Sequence, residues 1–144
     1  MMHRRWIIGL IGLVVVAALP VAGHWIRGQR TGRCAFDGMP IEPIWRVRML
    51  NRQGAADEFC CIRCAELWLE RGNLVPAAIY VTDEVTGREI DSSLAYFVRS
   101  SVVTTPHTNN RIHVFQEKAE SEKHAMSARG KVLRDIDKPL QLRR

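Results

Sequence analysis

The chain has 144 residues, 21 Lys/Arg against 15 Asp/Glu, a formal charge of +6 and 47% hydrophobic content. That is enough for one small domain with its own core. The basic residues gather at the two ends (Arg4, Arg5, Arg27, Arg30 and Arg33 at one, Arg143 and Arg144 at the other) and form no single face interleaved with aromatics, so no nucleic-acid partner is expected.

Residues 6–26 are apolar without an Asp, Glu, Lys or Arg, and Trp6 and Trp25 stand at the two ends of the run. About 20 residues at about 1.5 Å each cross a bilayer core of about 30 Å, and tryptophan favours both interfaces. Residues 1–27 are therefore expected to form a transmembrane anchor. A cleaved signal peptide is the alternative, with Val21-Ala22-Gly23 as a poor cleavage site. Residues 28–33 read as a linker. A domain at 34–136 is then expected outside the cytoplasm or in the periplasm, attached to the membrane, with a polar tail at 137–144.

Within the domain, Asp37-Gly38 signals a turn, and Pro40 and Pro43 exclude regular helix. Residues 45–50 alternate apolar and basic side chains, which is strand periodicity. Residues 51–54 turn the chain and 58–60 return it. From Cys61 the spacing of Ala65, Trp68 and Leu69 predicts a short helix ending at Gly72. Strands follow at 77–82 and 88–90 around the turn at 83–87. A strand from Ala95 through Arg99 towards Val103, a loop at 104–110 and a strand at 112–115 come next. Residues 116–129 are rich in helix formers and close at Gly130, and 132–133 add a last strand. Both halves read strand, strand, helix, strand. The fold class is α+β: small antiparallel sheets with two short helices behind the N-terminal transmembrane helix.

All four cysteines lie between positions 34 and 64. Thiolates are soft ligands and nucleophiles, so the chemistry is expected there. Export would permit disulfides, but adjacent Cys60 and Cys61 are poorly placed for a bridge, whose Cα atoms prefer about 5.5–6 Å. Cys60, Cys61 and Cys64 sit where a strand gives way to a helix, whose N-terminal N–H groups favour thiolate. Four cysteines suit tetrahedral zinc. Met39, five residues after Cys34, is a poor zinc ligand and a good Cu(I) one. His107, after Pro106 in a loop, could complete a Cys/Met/His set, whereas His113, His124 and Met126 carry less weight. Cys61-Ile62-Arg63-Cys64 also permits thiol–disulfide exchange. No Ser/His/Asp or paired-carboxylate arrangement stands out, and the chain is not expected to be an enzyme.

Cys34-Ala35-Phe36-Asp37-Gly38-Met39-Pro40-Ile41 resembles the Cys-Gly-Met opening of the nitrous oxide reductase accessory protein (NosL) family. Blocks at 81–91, 95–100 and 112–133 resemble it in the same order. The resemblance spans most of residues 34–134. Four residues separate Cys34 from Met39 here, and Pro106-His107-Thr108 stands where members often carry Pro-Met-Gly. The segment from Phe59 to Cys64 is similar to the Phe-Cys-x-x-x-Cys of TRASH-type metal-binding modules. The resemblance implies a membrane-attached, extracytoplasmic protein that binds Cu(I) and delivers it to a copper-dependent enzyme, such as nitrous oxide reductase, or to its assembly factors. The expected metal ligands are Cys34, Met39, Cys60, Cys61, Cys64 and His107. Cu(I) is the expected metal, with zinc as the alternative.

Overall fold

The computed structural model describes residues 32–72 and 75–141, so the expected anchor at 1–27 lies outside the described residues. Among the described residues no helix is long and apolar enough to cross a membrane. A 3-10 turn at Pro43–Trp45 leads into β1 (Val47–Leu50), and β2 (Ala56–Phe59) returns antiparallel to it. Helix α1 (Ile62–Arg71) carries the chain to β3 (Ala78–Thr82), on the other side of β1, and β4 (Glu89–Asp91) completes the sheet in the order β2-β1-β3-β4. The second half repeats the device. Strand β5 (Tyr96–Arg99) pairs with β6 (Ile112–Phe115), helix α2 (Lys118–Ser127) follows, and β7 (Lys131–Val132) pairs with the free edge of β5. The expected antiparallel sheets, two helices and recurring rhythm are all present.

The alternation in β1 sorts its side chains between two environments. Val47 and Met49 are buried, while Arg48 lies on the opposite face and makes a paired hydrogen bond to Glu89, its guanidinium 5.0 Å over the Tyr80 ring. Arg46, just before the strand, pairs with Glu58 at 3.6 Å and Glu89 at 3.7 Å. The basic residues of this strand are thus matched by carboxylates of its neighbours. The buried face joins Phe59, Ile79 and Val81 of the first sheet to Phe97, Ile112 and Val114 of the second in one core.

The turn between β3 and β4 ties the sheets together. Asp83, 2% exposed, accepts hydrogen bonds from the Thr86 amide and hydroxyl and from the Gln116 amide. Glu84 accepts from the Val114 amide and lies 2.9 Å from Nδ1 of buried His113, whose Nε2 meets the Ser100 hydroxyl at 3.0 Å. His113 is therefore part of this polar joint. His124 of α2 stacks on it, with ring centroids 4.2 Å apart.

One expectation is corrected. Strand β5 ends at Arg99 and does not run on towards Val103, because Ser101 donates its amide to Ala128 and leaves the ladder. Leu140, in the polar tail, is buried in the main core. Met126 is exposed on α2.

Helix α2 also ends differently from the expected glycine cap. Arg129 takes the left-handed conformation (φ 49°), and the Gly130 amide reaches back to the Ala125 carbonyl at 2.7 Å. Gly130 is needed for space. A Cβ there would lie 2.8 Å from the Arg99 carbonyl oxygen and 2.9 Å from the Ser100 Cβ. Gly130→Ala is expected to destabilise the domain by about 1–3 kcal/mol, the usual cost of overpacking, read as a lower midpoint in urea with unchanged slope.

Candidate metal centre

Three chain segments meet at the cysteines. The first is the loop before β1. Its ends are held by the Arg33–Pro40 bridge, and the Cys34 amide donates to the Met39 carbonyl at 2.8 Å. Gly38 takes φ +74°, a conformation open to glycine at little cost, and lets the loop close around Cys34. The Ala35 amide donates to the Glu58 carbonyl at 2.8 Å, and the Arg71 guanidinium lies 4.5 Å over the Phe36 ring. These contacts pin the loop against β2 and α1.

The second segment is the junction of β2 and α1. Cys61 is the N-cap of α1 in extended conformation, and its side chain makes no capping bond, so its sulfur is free to face the site. Cys64 follows in the first turn, above the positive end of the helix dipole. The third segment is the loop between β5 and β6. A 3-10 turn at Pro106–Thr108 is closed by Asn109 in the left-handed conformation and by the Thr105–Asn110 bridge. Buried Asn110 fixes the loop by donating to the Thr104 hydroxyl and the Ile112 carbonyl.

All four cysteines are free thiols, none more than 3% exposed. Cys34, Asp37, Cys60 and Cys64 present ligand atoms that all lie within 4.8 Å of one another. The Cys60 sulfur is 3.5 Å from that of Cys64 and 4.0 Å from that of Cys61. His107 Nε2 stands 3.6 Å from the Cys60 sulfur and 3.2 Å from Asp37 Oδ2. The structure therefore brings together Cys34, Cys60, Cys61, Cys64 and His107. Met39 closes the loop through its backbone, and its side chain is 42% exposed.

Two residues escaped the sequence reading. Asp37 registers there only as a turn former. In the structure one of its oxygens accepts from the Met39 amide, while the other lies 3.1 Å from the Cys64 sulfur. Thr108 places its hydroxyl 3.3 Å from the Cys61 sulfur. The available signal was Asp37 standing three residues after a cysteine in a closing turn. Thr108 had none beyond following His107.

The thiols are electrostatically unequal. Hydrogen bonding from Cys60 holds Cys34 down to about 6 against the opposing effect of burial. Cys60 likewise lowers Cys61 to about 5, with help from the Thr108 hydroxyl. Cys60 itself is pushed up, as donor to Cys34 and Cys61 and by burial. Burial pushes Cys64 up, and so does its hydrogen bond to Asp37. Burial opposes charge on Asp37, but the Met39 amide, the Cys64 and Cys34 thiols and His107 outweigh it and hold the carboxyl at about 2. Cys60 carries one S–H, so it stabilises one neighbouring thiolate at a time.

No family model matches the chain, and no curated protein matches it. Among solved structures, the crystal structure of the copper chaperone NosL from Shewanella denitrificans is similar to it, with a TM-score of 0.65 and 22% identity over 77% of this chain and 92% of that one. At this identity the likeness is one of fold, and the fold is that of the family whose blocks the sequence resembles.

The thiol pattern has a measurable consequence. A lowered pKa means that thiolate forms as pH rises through the folded value, below the usual thiol range of about 8.5. Ultraviolet thiolate absorption of the reduced protein should rise by about one equivalent in a step centred between about pH 5 and 6. In Cys60→Ala, which lacks the donor, that step should move up towards the ordinary range, while Cys60→Ser should keep much of it.

Proposed function

We propose that this chain is a non-enzymatic copper-binding accessory protein that holds Cu(I) on its thiols and releases it to a partner by ligand exchange. One observation carries the reading: thiols from two separate segments converge, buried and unbridged, within metal-ligand distance of one another. Soft thiolates select soft monovalent copper. The fold shared with a protein described as a copper chaperone supports the same reading. A thiol–disulfide role for Cys61 and Cys64 is disfavoured, because exchange requires access for an attacking thiolate and all four sulfurs are buried.

The mouth of the site supports transfer. The Asp37–His107 contact joins the first and third segments across the sulfurs, and Met39 of the first segment is exposed. Incoming Cu(I) meets the exposed thioether, then the thiols, and each thiol that binds it releases a proton. The partner takes the metal by the reverse exchange. We assign residues 1–27 as the membrane anchor, the domain to the extracytoplasmic side, and the partner role to a copper-dependent enzyme or its assembly factors.

Zinc is the second reading, and Asp37 is the observation that favours it: a carboxylate beside three thiols is a donor set for a divalent ion.

Anaerobic titration of the reduced chain with Cu(I), against a chromophoric Cu(I) chelator, tests the proposal. The chain is expected to withdraw copper from the chelator. Cys34→Ser and Cys64→Ser should each weaken it by more than the about 10–100-fold that loss of a supporting group costs. Asp37→Asn should lie within that supporting range. A chain that takes no Cu(I), or that prefers zinc and loses it in Asp37→Asn, contradicts the copper reading.

A further inference from the structure

The primary group of Cys34, Asp37, Cys60 and Cys64 leaves out one thiol and one imidazole. Cys61 and His107 stand outside the set whose ligand atoms all lie within 4.8 Å of one another, yet each reaches the Cys60 sulfur, at 4.0 Å and 3.6 Å. Cys60 is therefore the sulfur that both of these side chains reach from outside the primary group. The Thr108 hydroxyl, 3.3 Å from the Cys61 sulfur, ties the loop that carries His107 to that thiol.

We propose that the cluster holds two adjacent Cu(I) positions bridged by the Cys60 sulfur, one formed by Cys34, Cys60 and Cys64 beside Asp37, the other by Cys60, Cys61 and His107. This deepens the copper-binding reading and rests on it. A metal–sulfur bond of about 2.3 Å, with sulfurs subtending a trigonal to tetrahedral angle, places two sulfurs about 3.8–4.0 Å apart. The Cys60–Cys64 and Cys60–Cys61 separations of 3.5 Å and 4.0 Å are already close to that span. A thiolate has lone pairs enough to bind two soft ions. Charge favours the second ion. Four thiolates around one monovalent cation leave more uncompensated negative charge in a buried site than four around two, and unpaired buried charge is costly. The adjacent pair Cys60-Cys61 thus gains a purpose: Cys60 is shared and Cys61 belongs to the outer position.

The reduced full chain, exposed anaerobically to excess Cu(I), desalted and weighed by native mass spectrometry, should carry two copper ions. Cys61→Ser and His107→Ala should each carry one, with circular dichroism unchanged. His107 lies on an exposed turn, so that variant carries the test if the buried Cys61→Ser fails to fold. One ion on the wild-type chain overturns the bridged pair and leaves copper binding intact, whereas none overturns both. Two ions persisting in His107→Ala overturn the outer position as assigned.

Discussion

The site depends on one carboxylate staying ionised among thiols. Asp37 receives the Met39 amide from its own loop, the Cys64 thiol from the start of α1 and His107 from the loop between β5 and β6. Without it the loop that carries His107 and Thr108 meets the cysteines through sulfur contacts, which are weak hydrogen bonds. Its negative charge keeps the Cys64 proton in place and holds the His107 ring beside the cluster, so the thiols are held in position. On the copper reading, donors held in place in this way avoid the cost of ordering them when the metal binds.

The fold explains why these segments meet. Each half places its first strand between its second strand and its post-helix strand, and in the first half β4 is added outside β3. The first hairpin, β1–β2, turns within a few residues, whereas the corresponding hairpin of the second half carries the long loop with His107 and Thr108. The polar joint of Asp83, Glu84 and His113 fixes one half against the other, and with it the distance from that loop to the thiols. His113 thus acts at a remove from the thiols, although sequence alone presents it as another candidate histidine.

Local features were legible where chemistry is local. The alternation in β1, the turn at Gly87 and the start of α1 at the cysteine trio could all be read from spacing. The convergence of Cys34 with Cys60 and Cys64 was readable only as a clustering of sulfur. The part played by Asp37 was hidden because Asp-Gly also makes an ordinary turn. Arg129 in the left-handed position and Leu140 in the core were equally hidden, since both depend on tertiary contacts that override local preference. His107 could be named as a candidate but not placed, because its position follows from the loop geometry that Asn109 and Asn110 impose.

X-ray absorption at the copper edge, on the anaerobically loaded chain, addresses the central claim most directly. A monovalent edge with a first shell dominated by sulfur is the result these thiols require. A first shell of nitrogen and oxygen, or a divalent edge that persists in the presence of reductant, would contradict the account.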